Sequence, residues 1–192
     1  MIKISAQSEK KMESVNRSDL PYYNIPAEPE LYTAGNMAAR MIDGLGFRYY
    51  WATEGLNETD LEFKPSEEAR TTAQTLDHIY GLSNVILNAV KQKPNDQGDA
   101  RQTLTFEELR KETLENFKNA SDILKKSQDK DIKNYQVIFN RGDNSSEFPF
   151  WNLLNGPIAD AIWHAGQVAS FRRSSGNPIN PKISVFTGTV RE

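Results

Sequence analysis

The stretch FWNLLNGPIADAIWHAGQVASFRRS, residues 150–174, decides the fold. Leu153, Pro157, Asp160, His164, Gln167 and Phe171 recur three or four residues apart, so they share one face of a predicted helix. That face sets an acid, an imidazole and a carboxamide among apolar residues. Pro157 inside the run predicts a kink or marks the true start of the helix. Gly176-Asn177-Pro178 stops it.

Three further helices are predicted upstream. The first runs from about Tyr32 to Gly55, with Met37, Met41, Leu45, Tyr49 and Ala52 at helical spacing and Phe47 and Trp51 beside them. A loop follows over 56–66, with Pro65 as a breaker. The second runs from near Thr72 to Lys91, where Thr75, His78, Leu82, Val85 and Ala89 form one stripe. Lys91, Lys93 and Pro94 suit its negative end and stop it. A polar loop spans 95–102. The third helix opens at Thr105, which with Glu108 matches a capping box. Its expected inward stripe is Leu109, Thr113, Phe117, Ala120 and Leu124. Glu107, Arg110, Lys111, Glu115, Lys118 and Lys125 are expected on a solvated face. Before the last helix, Tyr135–Phe139 and Ser146–Phe150 flank the turn signal Asn140-Arg141-Gly142-Asp143, which predicts a short β-hairpin.

The expected architecture is therefore all-α, a four-helix bundle over residues 31–176. Residues 1–30 are read as an N-terminal arm, broken by Pro21, Pro26 and Pro29 and pinned by Tyr22 and Tyr23. Residues 177–192 are read as a C-terminal tail packed on the domain, with strand-like Ile183, Val185 and Phe186.

Composition narrows the function. At 192 residues one domain with terminal extensions is expected, large enough to bury a core without staples. There is no cysteine, which excludes disulfides, thiolate nucleophiles and Cys-ligated metal sites. The 38% hydrophobic content and mean hydropathy of −0.65 point away from a membrane protein. The segment Met1–Asn24 has no apolar run of signal-peptide type. A soluble, cytoplasmic protein is the expectation. A net charge of −3 without a basic run gives no footprint for nucleic acid. No serine sits in a nucleophile-elbow motif, and no glycine pattern cradles phosphate.

Both histidines of the chain fall on predicted apolar stripes. Asp160 precedes His164 by one helical turn, so the two reach the same point in space. His78 from the facing helix supplies a third donor, as inward side chains do in bundle metal sites. Two neutral imidazoles and one carboxylate suit zinc, nickel or iron(II) and leave coordination positions open. Gln167, one turn beyond His164, is placed to orient a ligand. Tyr80 and Trp163 adjoin the ligand-bearing turns. The competing reading is plainer: Asp160 and His164 as an intrahelical pair worth tenths of a kcal/mol, and His78 as a hydrogen-bonded core histidine. The coincidence of all three favours metal.

Thr75-Leu76-Asp77-His78-Ile79 on the second helix, with Asp160-Ala-Ile-Trp-His164-Ala-Gly166-Gln167 on the fourth, resembles the DinB-like (DinB/YfiT) superfamily. The resemblance covers about Tyr32 to Gly176. It implies an antiparallel four-helix bundle with a long crossover connection, often a homodimer. It also implies a divalent metal, zinc or nickel, held by three residues that are commonly histidines; iron or manganese are alternatives that the donor set itself leaves open. His78 and His164 match two of them, and Asp160 stands where the family usually has histidine. The family name refers to DNA-damage induction, which implies no DNA contact. The implied activities are thiol-dependent S-transfer or hydrolase chemistry, with a low-molecular-weight thiol as partner. The alternative is a non-catalytic, stress-associated bundle with a structural or vestigial metal site. No catalytic residue beyond the metal ligands is assigned.

Overall fold

A computed structural model describes residues 20–96 and 104–192. The arm expected over the first 19 residues, and the question of a signal peptide there, lie outside the described residues, as does most of the 95–102 loop. Four long helices make the body: α1 (Ala34–Thr53), α3 (Thr72–Val90), α4 (Phe106–Lys126) and α7 (Ala159–Ser174). Around them lie the short helices α2 (Glu58–Glu62), α5 (Asp129–Asn134) and α6 (Phe150–Leu153). The strands are β1 (Asn95–Asp96), β2 (Gln136–Arg141), β3 (Asn144–Pro149), β4 (Ile183–Ser184) and β5 (Thr189–Val190).

The long helices close a ring in the order α1, α4, α3, α7. Gly35 at the start of α1 lies against Leu124 at the end of α4, while Arg110 at the start of α4 bonds Thr53 at the end of α1. That pair is antiparallel. So are α3 and α7, which meet through His78 and Asp160. Tyr80 bonds Glu112 and Asn84 bonds Asn116, so α3 and α4 run in the same direction. A chain leaving α3 must return the length of the bundle before α4 begins, which is the crossover the family resemblance implies. The four-helix all-α fold expected from the sequence is thus present, with the hairpin β2–β3 before the last helix.

Local chemistry explains the boundaries. Thr33, Thr71 and Thr105 each accept the backbone N–H three residues on, and the last two form reciprocal capping boxes with Gln74 and Glu108. The two hairpin strands pair antiparallel from Gln136↔Pro149 to Arg141↔Asn144, which leaves Gly142-Asp143 as the turn. Gly142 has φ +59, a conformation glycine takes at no steric cost. β1 adds a parallel edge to β2, fastened by the Asn95 side chain donating to the Ile138 carbonyl. Of the strand-like tail residues only Ile183 finds a partner, in β5, and it packs on the core with Val190; Val185 and Phe186 lie exposed in the turn between β4 and β5.

The core is apolar and aromatic, with Phe47, Tyr49, Phe117, Leu114, Leu153 and Ile79 fully buried. Two expectations of burial need correction, those for the α1 methionines and for Arg110. Met37 and Met41 are exposed, because α1 turns Gly35, Ala38, Ile42 and Leu45 inward instead. Small residues there let α4 approach closely: a Cβ on Gly35 would stand 2.3 Å from the Leu124 carbonyl oxygen. Arg110 is buried rather than solvated, donating to Thr53 at 2.9 Å and pairing with Glu54 at 2.7 Å. Trp151 and Trp163 are largely exposed, whereas Trp51 is buried. Arg172 does not serve its own helix end. It is buried, and its Nη1 donates to the carbonyls of Trp51, Ala52 and Glu54, capping the C-terminus of α1.

The segment before α1 is tied down as the sequence suggested. Tyr22 is buried, and its hydroxyl donates to Asp43 at 3.1 Å. Asp43 is itself buried and is satisfied by Ser121 and by Lys125 Nζ at 2.8 Å. Burial, with the Asp43 charge beside it, pushes the Tyr22 phenol far above its usual pKa, so it stays a neutral donor.

Candidate metal centre

α3 and α7 face each other antiparallel, and this brings their polar residues together. His78 Nε2 lies 3.1 Å from Asp160 Oδ2. His164 Nε2 lies 3.3 Å from Asp160 Oδ1. The two imidazole rings stand edge to face, with centroids 4.7 Å apart. One donor atom from each of the three residues falls within 4.8 Å of the others. Around a tetrahedral ion with bonds of about 2.0–2.1 Å, donor atoms stand about 3.4 Å apart. The two separations from Asp160 run to its two different oxygens, so the carboxylate lies between the imidazoles and one donor from each residue must draw in from within 4.8 Å to hold one ion.

Gln167 completes the arrangement. Its Oε1 lies 2.7 Å from His164 Nδ1, one helical turn away. In this orientation Nδ1–H donates and Nε2 keeps its lone pair, the tautomer a metal ligand needs. A lone pair and a carboxylate oxygen then face each other across 3.3 Å. A cation between them removes that repulsion. The donor set therefore suits a positive charge at this point.

The centre opens on one side. His164 is the most enclosed, with 16% of its side chain exposed, while His78 and Asp160 are at 34% and 41%. Beside Asp160 lies a shallow cleft of about 580 Å³, walled by Leu82, Pro157 and Trp163. A π-helical turn over Leu154–Ile158 shapes it. Pro157 has no N–H to give to the carbonyl four residues back, and its ring crowds that carbonyl. The chain widens the turn instead, and Ala159 N–H reaches the Leu154 carbonyl five residues back. The wide turn merges into α7 just ahead of Asp160. The predicted kink at Pro157 is thus a π-turn within a continuous helical run.

All three proposed ligands and Gln167 are brought together. Trp163 lines the cleft, whereas Tyr80 turns toward α4 and donates to Glu112 at 2.7 Å. Leu82 was passed over as a pocket residue because its spacing marks it only as part of the apolar stripe of α3.

Fold and donor set together define a four-helix bundle carrying a His-Asp-His cluster that could hold a metal ion. The chain is similar to a DinB-like protein, YjoA, of Bacillus subtilis, whose crystal structure superposes with a TM-score of 0.58 at 15% identity. The match covers 80% of this chain and 99% of that one. At that identity the likeness is one of fold. No protein-family model and no curated protein matches the sequence.

Gln167 is testable apart from the ligands. Gln167→Leu is expected to lower metal affinity about 10–100-fold, the usual effect of losing an outer partner of a ligating histidine. Gln167→Glu keeps the acceptor and is expected to keep the affinity. Competition titration against a chelator measures both, and a Gln167→Leu protein that binds as tightly as the parent contradicts the role.

Proposed function

We propose that the protein holds a divalent metal through His78, Asp160 and His164 and uses it on a small-molecule substrate entering beside Asp160. The observation that carries this reading is three convergent donors within 4.8 Å of one another, open to solvent on the side of the cleft. A metal held by three protein ligands keeps an exchangeable position; a structural site closes it with a fourth. When bound, such an ion acts as a Lewis acid and lowers the pKa of a thiol or water held there.

The chain's own residues set the terms. Asp160 bridges the two imidazoles and brings one negative charge to the site. Gln167 fixes the ring orientation of His164. Leu82, Pro157 and Trp163 offer an apolar wall for the substrate's body. Zinc, iron or manganese suit the mixed nitrogen and oxygen donors, and nickel is accepted as well. The reaction class we favour is thiol-dependent transfer, with hydrolysis second. The non-catalytic reading requires that no exogenous ligand reach the ion.

Loading the protein with cobalt(II) and adding a low-molecular-weight thiol distinguishes these. A new sulfur-to-cobalt charge-transfer band is expected, absent from the His78→Ala protein. A cobalt spectrum unchanged by every thiol contradicts thiol chemistry, and one unchanged by cyanide or azide as well assigns a closed, structural site.

We further propose a homodimer. Met37, Met41 and Trp151 stand exposed around a strongly apolar groove of about 690 Å³, a surface that two copies would cover. Light scattering is expected to give twice the chain mass at micromolar concentration, and a monomer there contradicts the assembly. Among the described residues no helix is long and apolar enough to cross a membrane.

A further inference from the structure

We propose that a second site, between α1, α7 and the C-terminal segment, binds an apolar monocarboxylate. A cavity of about 510 Å³ lies there, within the range of small-molecule pockets of roughly 300–1,000 Å³. Phe47, Trp51, Ile162, Ala169 and Ile183 give it apolar walls. It uses the face of α7 turned to α1, whereas His164 meets His78 on the face turned to α3. The site is therefore separate from the metal centre, although both share α7.

Two guanidinium groups, Arg48 and Arg173, border this apolar space, and no aspartate or glutamate lines it. Arg48 uses Nη1 on the Gly44 carbonyl within its own helix. Arg173 has no hydrogen bond or ion pair among the described residues. Two cations without an acidic partner among the described residues, set at an apolar wall, call for an anion with an apolar body. A guanidinium binds a carboxylate through two parallel hydrogen bonds, and the walls take an alkyl or aromatic tail out of water. One carboxylate is matched by these donors; a phosphate dianion would ask for more of them.

Gly166 offers a clean way to fill the cavity. It lines the space, and a Cβ built on it meets nothing within 4 Å. Gly166→Phe thus adds a ring at the rim of the cavity without displacing the core, and removes a helix-weakening glycine.

Calorimetric titration with decanoate below its micelle concentration tests the proposal, with decanol and acetate as controls. Decanoate is expected to bind at least tenfold more tightly than decanol, and acetate not to bind. Arg173→Gln, at an exposed position, is expected to reduce decanoate to the affinity of decanol. Gly166→Phe, with its helical circular dichroism and melting intact, is expected to abolish binding. His78→Ala is expected to leave decanoate binding unchanged. Equal affinities for decanoate and decanol, binding that survives Gly166→Phe, or binding lost in His78→Ala would each overturn the assignment.

Discussion

His164→Ala is expected to lower divalent-metal affinity by more than about a hundredfold, beyond the 10–100-fold that loss of an outer partner costs. His164 is the most enclosed of the three donors and the one whose tautomer is fixed, by Gln167 at 2.7 Å. Its loss removes a preoriented ligand and leaves a two-residue site. His78→Ala removes the only donor from α3 and is expected to act as strongly. Asp160→Ala weakens every metal. Asp160→His removes one negative charge and replaces a hard oxygen by an imidazole, so preference is expected to move toward nickel or copper. Competition titrations against a chelator measure all four. Asp160→Ala binding as tightly as the parent would remove Asp160 from the ligand set.

The second large effect concerns stability. Arg172→Ala is expected to cost about 3 kcal/mol or more, because each buried acceptor left without its donor costs about 1–3 kcal/mol. Its guanidinium meets three carbonyls at the end of α1, the Asn177 carbonyl through Nε and the Asn177 side chain through Nη2. Truncation leaves acceptors at the α1 terminus without donors and a void where α1 and α7 end together. Arg172→Lys keeps the charge but not the fork, and is expected to recover only part of the loss. Urea unfolding followed by circular dichroism measures both. A change below about 1 kcal/mol for Arg172→Ala would mean that water replaces the guanidinium at those carbonyls.

What the sequence made legible follows from period and type. The helices were readable because Leu109, Thr113, Phe117, Ala120 and Leu124, or Leu76, Ile79, Ile86 and Val90, repeat at helical spacing. The site was readable because histidine is rare in this chain and both copies lie at inward spacing near a carboxylate. The failures have physical causes as well. Arg110, Leu114, Phe117 and Ser121 also fall on one inward line, but charge argued for solvent, and Tyr50, Thr53 and Glu54 at the end of α1 reverse that. On α1 two neighbouring lines are both apolar, and the small residues Gly35 and Ala38 win because they admit α4 closely. The helices α2 and α5 have five and six residues, too few for a period to register. Their signals are caps: Asn57 with Asp60, and Gln128 with Asp131. β1 is two polar residues held by pairing to β2, which nothing local encodes.

The central claim is that His78, Asp160 and His164 hold one divalent ion. Metal content measured by mass spectrometry on protein purified without an affinity tag, beside its His78→Ala and His164→Ala variants, tests it most directly. Close to one divalent ion per chain is predicted for the parent after dialysis, and little for either variant. Equal metal in parent and variants, or a parent that retains none after incubation with zinc, nickel, iron(II) or manganese, would contradict it.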